Sequence, residues 1–550
     1  MPQQPPSSPT KSLVSTLAPP PHAQGATAAL DATVAAGVSA AAFFVYLFSL
    51  APGLTWAHQG ADGGELVTAA IVNGVPHPPG YPLYMLLLQV WLAITGFLLP
   101  GADLIWRGAL LSAVCGALSV GVTYLTARHL LRGNRHGMLW AALAALAWGI
   151  SPLLWQQAVI AEVYALHTLL LALLGWATLV HPDKLWYVVI PVALGVANHL
   201  TFVLLLPAAF YIVWSQRKRQ PDSRPGSQWG PVWRSMLPIA GVFGLGLLFG
   251  ALLYLRVPLV AARTPPVNWG YADNWNGFWW LVSGAAYRGY LFSSPASSVL
   301  SRLAAWAYTI TAQYTPIGLA IALIGLAQWD RTAGHLRNFS LLWVTPVSVY
   351  ALAYYTRDSD IYLLPVGWIM ALWLAAGLAQ VDEWASQKLS QRFAASEDAQ
   401  HNACRSGVAT WLLAGFACLG LIGMTVWRWD ANSLAGDAVA RDYLQQVKAV
   451  VEPSSIVVTL NDRETFALWF GAWGNRELAG VTPINESLYQ FDWYRRLQKN
   501  LHPEVPGIDQ SVDAVIAANR GQRPIYFAQM PANIAQTDVT QVGPLWRLND

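Results

Sequence analysis

Met236-Leu237-Pro238-Ile239-Ala240-Gly241-Val242-Phe243-Gly244-Leu245-Gly246-Leu247-Leu248-Phe249-Gly250-Ala251-Leu252-Leu253-Tyr254-Leu255 runs its whole length without a charged side chain. As a helix it reaches about 30 Å, the thickness of a bilayer's hydrocarbon core. Stretches of the same kind recur near residues 33–51, 81–99, 108–127, 138–154, 158–180, 185–197, 200–214, 303–328, 339–354, 361–380 and 408–427. The composition agrees: of 550 residues, 55% are hydrophobic and 11% charged, against about 25% charged in an ordinary soluble domain. The chain therefore reads as a polytopic α-helical membrane protein. A net charge of +3 without a basic, aromatic surface sets nucleic-acid binding aside. Cys115, Cys404 and Cys418 lie far apart, two of them inside apolar stretches, and offer neither a disulfide framework nor a thiolate metal site. Residues 1–30, rich in Pro, Ser, Gln and Ala with Lys11 as their one basic residue, read as a disordered tail and not as a signal peptide.

Basic residues orient the spans, because short cytoplasmic loops are enriched in Lys and Arg. Four basic connections, Arg128 to Arg135, Arg217 to Arg234, Arg331 to Arg337 and Lys388 to Arg405, share one parity and read as cytoplasmic. The opposite side then holds Glu162, Asn198-His199, the segment 256–302 and Arg357-Asp358-Ser359-Asp360. The stretch 81–99 decides where residues 52–80 lie. Prolines crowd its start, Tyr81, Tyr84 and Trp91 suit the headgroup level, and Gln89 interrupts it, all features of an interfacial helix. That reading gives eleven spans within 31–429, a cytoplasmic N-terminus and residues 430–550 outside. In this tail Ser455 to Leu460 and Pro524 to Phe527 read as strands, and 436–451 and 463–473 as helices, which makes a small α/β domain.

The densest polar cluster is His58-Gln59-Gly60-Ala61-Asp62-Gly63-Gly64-Glu65, followed by Val75-Pro76-His77-Pro78-Pro79-Gly80-Tyr81-Pro82. Asp62 and Glu65, three apart at a helix start, share one face. The same pair also reads as a helix cap and its capping partner. Ionisable residues at membrane depth are expensive and default to functional candidates, and this extends to Glu162, whose bland alternative is a buried partner for His167 or Tyr164. Asn198 and His199 are candidates for contact with sugar or phosphate. Arg357, Asp358 and Asp360 read either as an ion-pair cluster joining two spans or as part of a site. His58, His77 and the acids leave a divalent metal open without a tight ligand spacing. The 28 tryptophans read mostly as interface anchors, with Trp269, Trp275, Trp279 and Trp280 as candidates to line a sugar or lipid groove.

Several of these motifs together resemble one membrane family. They are Gly60-x-Asp62-x-Gly64-Glu65-Leu66, Gly74-Val75-x-His77-Pro78-Pro79-Gly80-Tyr81-Pro82-Leu83-Tyr84, Asn198-His199-Leu200-Thr201, Pro266-x-Asn268-Trp269-Gly270, Asp358-x-Asp360-x-Tyr362-x-x-Pro365, Asn461-Asp462-x-x-Thr465-Phe466-x-Leu468-Trp469 and Trp493-Tyr494. The family includes the animal endoplasmic-reticulum O-mannosyltransferase that acts on plexin-type IPT domains, and is similar to the wider glycosyltransferase-C superfamily. Gly63 departs from the pattern, since members often carry Ser there.

The resemblance implies a glycosyltransferase-C-like fold of about eleven transmembrane helices, with interfacial helices in the first outer loop and the extracytoplasmic α/β domain at the C-terminus. It implies an inverting transfer of a sugar, mannose in the family's version, from a polyprenyl-phosphate donor to a protein Ser or Thr hydroxyl or a glycan. Asp62 then becomes the candidate base and Glu65 its neighbour. His58, His77, Tyr81, Glu162, Asn198, His199, Asp358 and Asp360 become candidate substrate-binding residues. Arg256, Arg263, Arg288 and Arg357 lie on the same outer side, where planar guanidinium groups suit phosphate oxygens, although loop arginines also commonly meet lipid headgroups. The expected setting is a bacterial cytoplasmic membrane with the site on its outer face. A lipid-linked-sugar transporter or flippase is the rival reading and requires polar residues through the midplane. A non-catalytic lipid-binding scaffold would have no need of Asp62 and Glu65.

Overall fold

A computed structural model describes residues 21–219, 232–393 and 399–549. Residues 1–20 of the expected tail and parts of the basic connections 217–234 and 388–405 lie outside the described residues. Residues 21–30 of that tail are helical, as the start of α1 (Pro21–Ser49). Two short helices follow, α2 (Asp62–Ile71) and α3 (Pro82–Leu98). The main bundle continues through α4 (Leu104–Leu130), the bent pair α5 (Gly137–Gly149) and α6 (Pro152–Ala158), α7 (Val163–Val180), α8 (Trp186–Asn198), α9 (Leu206–Arg219) and α10 (Val232–Leu253). Short helices α11 (Arg256–Ala261) and α12 (Trp275–Val282) lead to α13 (Val299–Thr332), α14 (Gly334–Ala353), α15 (Leu364–Phe393) and α16 (Ala399–Asn432). Among the described residues eight helical stretches are long and apolar enough to cross a membrane, or nine if α5 and α6, bent by 61°, form one span. The other two spans expected from sequence correspond to the shorter α8 and to α14.

The first loop returns to the end where it began. Tyr124 Oη donates to Asp31 at 3.0 Å, so the end of α4 lies beside the start of α1. At the opposite end, a methyl group on Gly53 would lie 3.5 Å from the Asp103 carboxylate, which caps α4 through Ile105 N and Trp106 N. The segment between α1 and α4, with α3 inside it, thus starts and finishes at one end of the bundle, as the interfacial reading of 81–99 requires.

Tight backbone contact holds the bundle where lipid supplies no hydrophobic drive. A Cβ on Gly377 would sit 1.9 Å from Ile321 O and one on Gly325 would sit 2.0 Å from Trp373 O, so α13 and α15 approach through these glycines. Pro316 lacks the N–H that would bond Ala312 O and breaks α13 beside Thr315. Buried Arg428 of α16 donates to Ala312 O at 2.5 Å, Gln313 O at 3.3 Å and Ile150 O at 3.0 Å, satisfying carbonyls at two helix breaks. The expectation of tryptophans mostly as interface anchors fails for Trp140, Trp148, Trp155, Trp343 and Trp368, which are fully buried. Four of these place the indole N–H on an internal acceptor: Trp140 on Asp382, Trp155 on Ser49, Trp343 on Pro365 O and Trp368 on Thr123.

After α16 come α17 (Val439–Val450), β1 (Ile456–Thr459), α18 (Asp462–Trp469), β2 (Thr482–Asn485), α19 (Asp492–Leu501), α20 (Val512–Asn519), β3 (Ile525–Phe527), β4 (Val539–Val542) and β5 (Leu545–Leu548). The sheet order is β2-β1-β3-β5-β4, with β1 parallel to β2 and β3 and the remaining pairings antiparallel. This layer covers the end of the bundle that carries the first loop. Leu434 N donates to Ser49 O at 2.9 Å, Trp56 Nε1 to Arg463 O at 3.1 Å, and Thr55 Oγ1 to Asp437.

Candidate active site

Helix α2 is sandwiched between bundle and C-terminal layer, and both contacts need the absence of a side chain. A Cβ on Gly108 of α4 would meet Val67 at 2.9 Å, and one on Gly64 would meet Phe466 O of α18 at 2.8 Å. The sandwich buries Glu65 completely. A lone carboxylate there would be prohibitive, and the chain supplies its partner from the following turn. Glu65 Oε1 accepts from His77 N at 3.0 Å, and Oε2 accepts from His77 Nδ1. On the far side of the ring, Nε2 meets Tyr81 Oη at 2.9 Å, and Tyr81 Oη donates to Pro78 O at 3.3 Å. The buried Glu65 carboxylate on Nδ1 favours the charged form of the ring. Burial alone would lower the His77 pKa, but the Glu65 and Asp62 carboxylates outweigh it and hold it up to about 10.

Asp62 stands at the open side of this charge pair, with Oδ2 3.7 Å from His77 Nε2. About a third of its side chain (36%) is still exposed, yet it lies beneath the C-terminal layer. Its pKa is raised to about 6, chiefly by burial, with Glu65 and Asp358 pushing further and His77 pulling back. Among the described residues its carboxylate accepts no hydrogen bond, so it does not act as a side-chain helix cap.

Glu162 caps α7, its Oε2 accepting from Val163 N at 2.9 Å, and is buried in the field of Asp62, His77 and Glu65. It makes no bond to His167 or Tyr164. Asn198 braces the same turn by donating to Val163 O at 3.2 Å. His199 Nδ1 accepts from Thr201 N at 3.2 Å, which leaves the proton on Nε2. Its ring is enclosed by Tyr81, Tyr164, His167 and Tyr362 at centroid distances of 5.7, 5.4, 5.7 and 6.0 Å.

The remaining candidates divide. Asp358 faces Asp62 electrostatically, whereas Arg357 and Asp360 are exposed on the same loop. No ion pair joins Arg357 to either aspartate among the described residues. The loop is instead held by Arg302, which donates to Leu352 O, Ala351 O and Tyr354 O at 2.7 to 2.8 Å. Arg256 donates to Asn73 Oδ1 at 3.0 Å and Gly74 O at 3.4 Å, fastening the turn between α2 and α3. Arg263 and Arg288 are exposed. His58 sits apart, its Nε2 on Asn432 O at 3.2 Å. Two neighbours of Asp62 escaped sequence reasoning. Tyr287 lies 6.5 Å from His77 between ring centroids. Asp462, at the start of α18, has its pKa raised to about 6 by burial and by Asp62. The family-like Asn461-Asp462 motif was the available signal for it. Among the described residues no group of three or more His, Cys, Asp or Glu is placed to hold a metal ion.

The family described as the protein O-mannosyl-transferase TMEM260 N-terminal domain matches residues 62–222, a segment that opens on Asp62 itself. The chain resembles the TMEM260 protein O-mannosyl-transferases. It is 26% identical over 297 residues to protein O-mannosyl-transferase tmem260 of Dictyostelium discoideum, covering 49% of this chain and 33% of that one. It is 38% identical over 146 residues to TMEM260 of Mus musculus, covering 26% of this chain and 19% of the mouse protein. The matches thus span a third or less of these relatives' length. Among solved structures, ArnT from Cupriavidus metallidurans bound to undecaprenyl phosphate superposes with a TM-score of 0.55 at 15% identity, over 94% of this chain and 97% of that one. Apo ArnT gives 0.50 at 16% identity, over 92% and 93%. The chain therefore shares the fold of ArnT, with a small C-terminal sheet.

Proposed function

We propose that the protein is an inverting glycosyltransferase that moves mannose from a polyprenyl-phosphate donor to a Ser or Thr hydroxyl of an extracytoplasmic protein. The observation that carries this reading is Asp62, a carboxylate that accepts no hydrogen bond among the described residues, is partly exposed and lies 3.7 Å from the His77 ring. A base is most useful with a pKa near the working pH, and about 6 meets that condition. The acceptor oxygen attacks the anomeric carbon while Asp62 takes its proton, the bond from that carbon to the phosphate oxygen breaks, and polyprenyl phosphate leaves with the electron pair. His77, held by Glu65, supplies the positive charge that keeps Asp62 ionised before attack.

The family match over residues 62–222 supports the mannosyl and protein-acceptor parts, and the ArnT-like fold supports a lipid-phosphate donor. The basic connections at the other end of the bundle support an outward-facing acidic end, by the enrichment of cytoplasmic loops in Lys and Arg. Residues 31–429 then form the membrane domain and 430–550 the extracytoplasmic α/β domain that roofs the site. Mass spectrometry of glycans on extracytoplasmic proteins, with and without this protein, tests the reading. Loss of O-linked hexose from Ser or Thr is expected on deletion, and an unchanged glycan profile overturns it.

A further inference from the structure

Two motifs singled out in the sequence, Asn268-Trp269-Gly270 and Trp493-Tyr494, lie far apart in the chain and play no part in the proton transfer above. The fold brings them together at His77. Val75 N donates to Val267 O at 2.9 Å and Trp269 N to Val75 O at 3.1 Å, a short parallel bridge that sets Trp269 beside the His77 turn. The Trp269 and His77 ring centroids are 6.2 Å apart. Trp493 reaches the same place from α19, its ring 5.6 Å from that of Trp269 and 5.3 Å from that of Trp280. The docking of α19 is fixed by Arg496, which lies 3.9 Å over the Tyr271 ring and donates to Tyr271 O at 3.2 Å.

Trp269 is only 4% exposed. The indole N–H groups of both Trp269 and Trp493 are shielded from solvent and have no acceptor among the described residues. A buried donor left unpaired is costly, so two on neighbouring rings beside His77 call for a ligand with acceptor oxygens. The surroundings say which kind. Asp62, Glu65, Glu162 and Asp462 all act on His77 or on one another electrostatically, and such a field repels an anion while offering acceptors to hydroxyl groups. Aromatic faces with N–H donors and nearby carboxylates match a neutral sugar ring, which has apolar C–H faces and a rim of hydroxyls.

We propose that Trp269 and Trp493 form the subsite for the sugar ring of the donor lipid, with the indole N–H groups donating to ring hydroxyls. This rests on the donor class proposed above. The test is native mass spectrometry of the full-length protein with undecaprenyl-phosphate mannose and bare undecaprenyl phosphate as probes. Wild type should favour the sugar-bearing lipid about ten-fold, the worth of two modest hydrogen bonds. The double variant Trp269→Phe/Trp493→Phe keeps an aromatic ring at each position without the N–H and should bind bare lipid phosphate unchanged while the preference drops below two-fold. An undiminished preference in the double variant overturns the subsite. A wild type that transfers sugar yet shows no preference overturns the subsite alone. Failure of wild type to bind either lipid overturns the donor reading and the subsite with it.

Discussion

Each end of the helical bundle holds an aspartate beside a histidine, and the two pairs are built for different ends. At the basic end Asp382 is saturated. Its Oδ2 accepts from His136 Nδ1 at 2.8 Å and Trp140 Nε1 at 3.1 Å, and its Oδ1 accepts from Thr410 Oγ1 at 2.6 Å. At the acidic end the saturated carboxylate is Glu65, and Asp62 is left 3.7 Å from the histidine without a hydrogen bond among the described residues. A fully satisfied buried network rigidifies its surroundings. A carboxylate with free lone pairs beside a fixed cation can accept a proton. On the proposed function, the difference between bond-filled and bond-free aspartates is the difference between a structural lock and a reactive group.

The sharpest way to break the comparison is Asp62→Asn. Asn keeps the size but cannot take the proton, so transfer should fall by roughly two to four orders of magnitude, with melting temperature and donor binding little changed. A steady-state assay with radiolabelled donor decides it, and near wild-type turnover would hand the base role elsewhere.

Next in size is the pH profile. On the proposed mechanism Asp62 accepts the proton only when ionised, so the rate should fall as pH drops through about 6. His77→Gln removes the charge that pulls the Asp62 pKa down, so this acid limb should move to higher pH: a first unit upward from about 6 roughly halves the ionised fraction at pH 7, and each further unit approaches a ten-fold loss. An acid limb that stays in place would show that the imidazolium does not act on Asp62. The sign for stability is the opposite. His77 in the folded protein has its pKa raised above 6.5 to about 10, so its contribution is complete below pH 6.5 and is lost as pH rises through 10. Thermal melts across this range should show that decline in wild type and a weaker one in Glu65→Gln.

At the basic end the same Asp-to-Asn change should do the reverse. Asp382→Asn leaves an amide where three donors converge, and should cost about 1–3 kcal/mol of stability while turnover per folded molecule stays within two-fold. A large rate loss without a stability loss would erase the distinction between the two ends.

Much of this was legible before the structure. Uninterrupted apolar runs gave the spans, and prolines with Tyr81 and Trp91 marked α3 as a helix that does not carry the chain across. The strand β2 was not legible because Pro483 lies within it, and a proline is tolerated there only because β2 is the sheet edge. Within the site, Asp62, Glu65 and His77 were readable from short-range spacing. Their hierarchy was not, because the buried member of the carboxylate pair is decided by Phe466 on Gly64, a contact between distant segments. Asp462, Tyr287 and Trp493 enter through the same long-range packing. The tryptophans of the bundle misled for a related reason: an indole N–H that finds an internal acceptor makes a good core residue, and composition does not reveal the acceptor.

The smallest expected effect tests how far the site extends. His58 shares the polar run with Asp62, and sequence proximity made it a candidate ligand. In the fold the chain turns away between them, through left-handed φ values of 54° at His58 and 63° at Gln59. The imidazole meets Asn432 O at 3.2 Å instead of the His77 cluster. Burial lowers its pKa, so it is a neutral donor closing the junction between the first loop and the last bundle helix. Gln at this position can reproduce one N–H donated to that carbonyl. His58→Gln should therefore change stability by less than about 1 kcal/mol, the usual net worth of one hydrogen bond, and leave kcat/KM within two-fold. Parallel measurement of Tm and kcat/KM separates the outcomes. A ten-fold rate loss at unchanged Tm would mean that the reactive end includes the junction itself, and that bonded groups as well as bond-free ones serve the chemistry there.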